Sequence, residues 1–256
     1  MISMIDAKTL TVFVTGATSG FGAAIARRFA EAGSRVIATG RRQDRLDALA
    51  QEIGERCHTA AFDVSDRAAV EAAVAGLPEA FRRVNVVVAN AGLALGLEPA
   101  HQVRIEDWET MVATNINGLL YTVRALLPGM VERDEGHVIT IGSVAADYPY
   151  PGGNVYGGTK AFVKQFALNL RADLLGANVR VSNIEPGMAE TEFSLVRFKG
   201  DAERANAPYR GVKPMSPEDI AETIFWTCTL PRHLNINRMQ MMPIDQAFGP
   251  FAIKRR

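Results

Sequence analysis

The chain has 256 residues, of which 48% are hydrophobic and 22% charged, with 28 basic and 28 acidic side chains. That length suits one large α/β domain, and the balanced charge argues against a polyanionic partner, so no nucleic acid is expected. No apolar run approaches the roughly 20 residues that span a bilayer, and the opening MISMIDAKTL lacks the charged and apolar blocks of a secretory signal, so a cytoplasmic protein without a membrane partner is expected.

In chain order, TLTVFVTGATSGFGAAIARRFAEAG reads as a buried strand, a glycine-rich turn and a helix with apolar residues at helical spacing. The same alternation returns in SRVIATG and RLDALAQEI, in CHTAAFDV and DRAAVEAAVAGL, and in VNVVVANAG followed by a long helical segment over 106–130. HVITIGS supplies a fifth strand, then a helix over 156–175, VRVSNIEP as a sixth strand, a helix over 217–229 and NRMQMMPI as a seventh strand. Strands this apolar on both faces, joined by helical crossovers, need helices on both sides of a parallel sheet. The pattern predicts a single doubly wound, Rossmann-type α/β domain over residues 1–256 with about seven strands. The least regular stretch, 191–215, carries many charges with Gly200, Pro208, Gly211 and Pro214, and reads as a flap beside the site. Cys57 and Cys228 have no neighbouring sulfur, and His58, His101, His137 and His233 show no paired spacing, so core thiols and no metal site are expected.

In TGATSGFG, Gly16, Gly20 and Gly22 fall between a strand and a helix. Such glycines let backbone N–H groups approach a pyrophosphate, whose charge the helix N-terminus also favours. Thr18, Ser19 and Phe21 complete this turn and join the expected cofactor contacts. An acidic residue at the end of the second strand normally selects NAD, whereas a 2′-phosphate needs positive charge. Here Arg41 and Arg42 follow the strand, which points to NADP through bidentate guanidinium contacts; the alternative is a solvated start to the next helix. Asp63, beside Val64, either accepts from the adenine amino group or caps a helix. Asn90 and Gly92 lie at the next strand end, where a small turn lets backbone approach the ribose.

Tyr156 and Lys160 are four residues apart at a helix start and so share one face. A phenol titrates near 10, and an adjacent ammonium favours the phenolate, giving a pair that can exchange a proton with an alcohol. Ser143 ends the preceding strand, where its hydroxyl can bond the same oxygen as charge develops. Asn115 is a polar residue in an apolar helical stretch and can hold a water behind the lysine. Singly, each has an ordinary alternative: a core tyrosine, a solvated lysine, a capping serine, a satisfied buried amide. Their order along the chain, after the glycine turn and the Asn-Ala-Gly turn, is what carries weight.

On these residues the sequence resembles the short-chain dehydrogenase/reductase family over essentially its whole length, through TGATSGFG, NAG at 90–92, Asn115, Ser143, Tyr156, Lys160 and PGMAET at 186–191. The resemblance implies Tyr156 as general acid/base, Lys160 binding the nicotinamide ribose and lowering the tyrosine pKa, Ser143 orienting the carbonyl and Asn115 holding a relay water. It also implies contacts to the nicotinamide amide from Pro186, Gly187, Met188 and Thr191, and a homotetramer assembled through the helices over 106–130 and 156–175. Ala89 departs from the pattern, since many members carry a second asparagine there. Within the family, AGLALGLEPAH, VRFKGD and LPRHLNINRMQMMP resemble bacterial NADP-dependent 3-hydroxy acid dehydrogenases acting on serine and L-allo-threonine, and are similar also to sulfoacetaldehyde reductases. Both substrate types, a small hydroxy acid or its aldehyde, are anions, so a cation is expected near the nicotinamide. Arg197 is the candidate, with Lys199 and Arg210 as alternatives on the same segment. Tyr150, held between Pro149 and Pro151, and Asn154 either wall the substrate pocket or pack the loop. A reading from another class, a non-catalytic NADP-binding sensor, has no need of a matched Ser, Tyr, Lys and Asn set.

Overall fold

Strands buried on both faces set the architecture. In a computed structural model that describes residues 4–249 and 253, each apolar run forms a strand: β1 (Thr11–Val14), β2 (Arg35–Gly40), β3 (Cys57–Ala61), β4 (Val86–Ala89), β5 (Gly136–Ile141), β6 (Val179–Pro186) and β7 (Arg238–Met241). All pair in parallel in the order β3-β2-β1-β4-β5-β6-β7. Of the expected 1–256 span, residues 1–3, 250–252 and 254–256 lie outside the described residues.

Successive side chains of a strand point to opposite faces, so the sheet builds two cores. On one face Val12, Val14, Val36, Val86 and Val88 pack against Ile25 and Phe29 of α1 (Gly20–Glu31) and Ile220 and Ile224 of α9 (Pro217–Thr229). On the other, Phe13, Ile37, Val87 and Val138 meet Leu119, Val123 and Leu126 of α5 (Gly118–Glu132) and Val163, Ala167 and Leu170 of α6 (Asn154–Asp173). Two shorter helices, α2 (Gln43–Ile53) and α3 (Arg67–Ala75), complete the first crossovers. A capping box at Ser216 and Asp219, followed by Pro217, fixes where α9 begins.

Four expectations are corrected in detail. The long helix over 106–130 is broken into α4 (Ile105–Val112), a π-helical turn (Ala113–Asn117) and α5. Such turns insert an extra residue and frequently mark functional sites. Asn115 sits in its middle. The helix expected over 156–175 starts and ends two residues earlier, and β7 is shorter than NRMQMMPI. The segment 191–215 is more regular than its composition suggests, with α7 (Phe193–Arg197), α8 (Ala202–Asn206) and a 3-10 turn over Ala207–Tyr209.

No helix among the described residues is long and apolar enough to cross a membrane. Both cysteines are free thiols; burial pushes Cys228 up to about 12 and Cys57 up to about 11.

Candidate active site

In a parallel sheet the crevice opens at the carboxyl ends of the strands where strand order reverses, here between β1 and β4. A cavity of about 360 Å³ lies at that place, bordered by residues from both ends of the expected site: Arg41, Arg42 and Asp63 at one, Ser143, Tyr156 and Lys160 at the other.

The floor is the glycine turn. Gly16 and Gly20 take positive φ, 68° and 51°, conformations that cost other residues energy. A side chain on Gly22 would run into the Gly16 carbonyl and lie 2.7 Å from Asn90 Nδ2. Gly22 therefore lets α1 close on the turn and does not itself border the cavity, whereas Gly16, Thr18, Ser19, Gly20 and Phe21 do. Asn90 holds the turn from behind: its amide donates to the Thr15 carbonyl at 2.8 Å and the Gly16 carbonyl at 3.3 Å. Thr15 reciprocates, its hydroxyl accepting from the backbone N–H groups of Asn90 and Ala91. The residues present fit a dinucleotide phosphate: a turn with glycines at its tightest points, at a helix N-terminus, with guanidinium groups on its rim.

On that rim Arg42 donates to the Thr18 and Ser19 hydroxyls and to Glu192. Arg41 is exposed and pairs with Asp63 at 3.5 Å. Asp63 accepts from the backbone and hydroxyl of Ser65; burial works against the charge, but these bonds and Arg41 hold its carboxyl below the usual range. Asp63 therefore lines the cavity and closes a local turn but does not cap the helix, because the N-cap of α3 is Asp66, whose side chain accepts from Ala69 N; Val64 stands beside Asp63 on the wall.

At the other end, Tyr156 and Lys160 project from the first turns of α6, both buried. Lys160 Nζ donates to the Ile141 carbonyl at 2.7 Å and lies 5.8 Å from the Tyr156 ring centroid. Burial lowers Lys160 to about 8. Burial, reinforced by Tyr150, pushes Tyr156 up to about 12, against a hydrogen bond from Ser143 and the charge of Arg197. Desolvation thus outweighs the lysine effect expected from the spacing, and the phenol is held protonated.

Asn115 is buried and fully engaged. Its Oδ1 accepts from Leu93 N at 2.8 Å, and its Nδ2 donates to the Leu93 carbonyl at 2.8 Å and to Thr159 Oγ1 at 3.0 Å. The π turn brings this side chain between the β4 loop and α6, behind the cavity wall. Pro186, Gly187 and Thr191 border the cavity; Met188 stands behind them, its N–H bonded to Gln246 and its carbonyl to Met215 N. Gly92 faces the site, within reach of Asn115 and Lys160.

The substrate candidates divide. Arg197 donates from Nη2 to Tyr150 OH at 2.6 Å and from Nε to the Gly96 carbonyl at 3.1 Å, and its guanidinium lies 5.5 Å from the Tyr156 ring centroid. Tyr150 and Arg197 therefore come to Tyr156 together. Asn154 is exposed and faces elsewhere, bonding Trp108 Nε1 and the Glu98 carbonyl. Lys199 is paired with Asp107 and Arg210 with Glu203, both on the outer surface. Tyr148, two residues before Tyr150, bonds Gln240 and lies against Phe248, and does not border the cavity. Sequence reasoning missed Phe62, Thr114, Glu192, Phe193 and Val196 on the cavity wall. Only Glu192 carried a usable signal, an acidic residue directly after the PGMAET run.

The fold and this constellation define a dinucleotide-binding oxidoreductase, and comparison with known proteins gives the family. Residues 10–201 match the family model described as short chain dehydrogenase, and the chain belongs to that family. It is 58% identical over 247 residues to the NADP-dependent 3-hydroxy acid dehydrogenase YdfG of Salmonella typhi, covering 96% of this chain and all of the relative. It is 54% identical over 245 residues to serine 3-dehydrogenase of Agrobacterium fabrum, covering 96% and 98%. Among solved structures, the closed form of serine dehydrogenase complexed with NADP+ aligns with a TM-score of 0.92 at 54% identity, over 96% of this chain and 99% of that one. Serine dehydrogenase from Escherichia coli aligns with a TM-score of 0.82 at 52% identity, over 93% and 99%. None of these relatives is a sulfoacetaldehyde reductase, and that alternative is not supported.

Proposed function

We propose that this protein is an NADP-dependent dehydrogenase acting on the hydroxyl carbon of small 3-hydroxy acids of the serine, L-allo-threonine and 3-hydroxypropionate type, and on the corresponding aldehydes or ketones in reverse. The observation that carries this reading is the meeting of Ser143, Tyr156 and Lys160 at one end of the cavity with Arg197 beside Tyr156, in a chain whose relatives bear those names. Bound NADP supplies the hydride acceptor, and NADPH the donor, at nicotinamide C4.

The chain's own groups handle the proton. A phenol near 12 is protonated at neutral pH and donates to an alkoxide as it forms, which suits carbonyl reduction. In the oxidation direction Tyr156 must first be the phenolate to accept the proton from the hydroxyl, and the nearby positive charges of Lys160 and Arg197 favour that phenolate. With its ammonium near 8, Lys160 exchanges protons close to neutrality. The Ser143 hydroxyl bonds the reacting oxygen. Arg197, oriented by Tyr150, holds the substrate carboxylate, and Arg41 and Arg42 hold the cofactor 2′-phosphate. Asn115 acts through its bonds to Leu93 and Thr159, fixing the wall on which Gly92 and Lys160 stand.

Steady-state kinetics of the wild type and Tyr156→Phe with NADP and NAD against serine, L-allo-threonine and 3-hydroxypropionate test this. Removal of the acid/base group should cost about 10²–10⁴ in rate; full activity in the variant would leave a binding-only protein. Arg197→Ala should raise KM for carboxylated substrates while sparing neutral alcohols. Equal effects would remove Arg197 from the substrate site.

We also infer a single domain with a substrate flap over 191–215, a cytoplasmic location in keeping with the two free thiols, and a homotetramer. Val112 and Phe162 stand exposed on α4 and α6, with Phe162 stacked on Phe166, an apolar surface suited to a second copy. Light scattering on the purified protein reads the assembly directly.

A further inference from the structure

A carboxylate stands where the cofactor's extra phosphate is expected. Arg42 makes four hydrogen bonds: Nε and Nη2 to Thr18 Oγ1 at 3.2 and 3.0 Å, Nη2 to Ser19 Oγ at 2.8 Å, and Nη1 to Glu192 Oε2 at 2.9 Å. Arg45 approaches the other oxygen of Glu192 at 3.7 Å. The hydrogen bond from Arg42, more than any other group, holds the Glu192 carboxyl below its usual range. Thr18, Ser19, Arg42 and Glu192 all border the same cavity. Glu192 comes from the far side of it, 150 residues along the chain, at the root of the flap. There the Thr191 hydroxyl accepts from Phe193 N at the start of α7, and its side chain packs over Gly20 at the start of α1.

We propose that Glu192 is an internal competitor for the cofactor's 2′-phosphate. It occupies the Arg42 guanidinium as that phosphate would, and so sets NADP affinity and ties the flap root to the 2′-phosphate subsite. This rests on the reading of Arg42 as a 2′-phosphate ligand. Two anions on one guanidinium repel each other, so the phosphate takes Arg42 by releasing Glu192, for which Arg45 remains as a partner. The exchange is feasible because the pair is half-exposed, with 42% and 37% of the two side chains accessible, and such pairs are weak. Because the coupling is reciprocal, the factor by which Glu192 weakens the phosphate equals the factor by which the phosphate loosens the flap root.

Adenosine 2′,5′-bisphosphate and adenosine 5′-phosphate differ only in the 2′-phosphate and carry no nicotinamide, so their binding by calorimetry isolates this subsite. In Glu192→Gln the bisphosphate should bind about two- to fivefold tighter than in the wild type, with the monophosphate unchanged. The bisphosphate should also speed tryptic cleavage of the wild-type flap at Arg197 and Lys199 by a similar factor, and have no such effect in Glu192→Gln. Unchanged or weaker bisphosphate binding in the variant, or equal tightening of both ligands, overturns the proposal. So does a wild-type flap whose cleavage the bisphosphate slows or leaves alone. Glu192→Ala repeats the measurement with the hydrogen-bonding group removed altogether. Arg42→Ala separates this idea from the reading beneath it: bisphosphate binding as tight as wild type there would show that Arg42 is not the phosphate ligand, whatever Glu192 does.

Discussion

Replacing Asn115 with alanine removes one side chain and three hydrogen bonds, and the structure says which groups lose their partners. Leu93, itself buried, loses the acceptor for its N–H and the donor to its carbonyl; Thr159 loses one bond but keeps its own to the Tyr156 carbonyl. An orphaned buried polar group costs about 1–3 kcal/mol, so the two Leu93 groups together put the expected destabilisation at about 2–4 kcal/mol after water reaches part of the space. The same bonds hold the loop carrying Gly92 against the end of Lys160, so NADP affinity should fall together with stability. Denaturant unfolding, calorimetric titration with NADP and steady-state kinetics on one preparation read all three quantities. A variant that loses turnover while keeping wild-type stability, within about 0.5 kcal/mol, and wild-type NADP affinity would refute the positioning role. It would return Asn115 to the water-relay role that the family resemblance implies.

Three further outcomes are expected. Gly22→Ala gains about 1 kcal/mol of helix propensity, yet its methyl group meets the Gly16 carbonyl and Asn90, an overpacking cost of about 1–3 kcal/mol; a net loss of stability with weaker NADP binding should be seen by thermal melts and titration. His137 is fully buried beside Ser182, and burial, then the charge of Arg180, pushes it well below the ordinary histidine range. The unfolded chain therefore takes up a proton below about 6.5 that the folded chain refuses. Stability should fall as pH drops through that value, with a slope approaching about 1.4 kcal/mol per pH unit, and His137→Leu should flatten most of the slope in unfolding curves between pH 7 and 5. Tyr150→Phe deletes the hydroxyl that accepts from Arg197; KM for carboxylated substrates should rise several-fold with kcat less affected, and an unchanged KM would detach Tyr150 from substrate binding.

Much of the fold was legible because its signals are local. Strand periodicity and the glycine turn each lie within one stretch of chain, and the spacing of Gly16, Gly20 and Gly22 at the start of α1 needs no distant partner to be read. The break at 113–117 was not legible. MVATNINGLLYT carries no proline to announce a break, and the bonds that Asn115 makes from the π turn run to Leu93 and Thr159, which are remote in sequence. For Asn154 the chain order left pocket and packing open alike, and only the start of α6, which turns it towards Trp108, favours packing.

By itself the sequence determined the doubly wound class, the phosphate turn with its cationic rim, and the Ser143, Tyr156 and Lys160 set, since fixed spacing on a strand end and a helix face dictates which side chains share a side. Tertiary structure alone decided the environments: that burial holds Tyr156 near 12 and Lys160 near 8, that Arg197 reaches Tyr156 by way of Tyr150, and that Glu192 faces Arg42 across the cavity. Desolvation and ion pairing depend on which segments surround a group in space, and in this site packing brings together residues 150 positions apart that no local pattern relates.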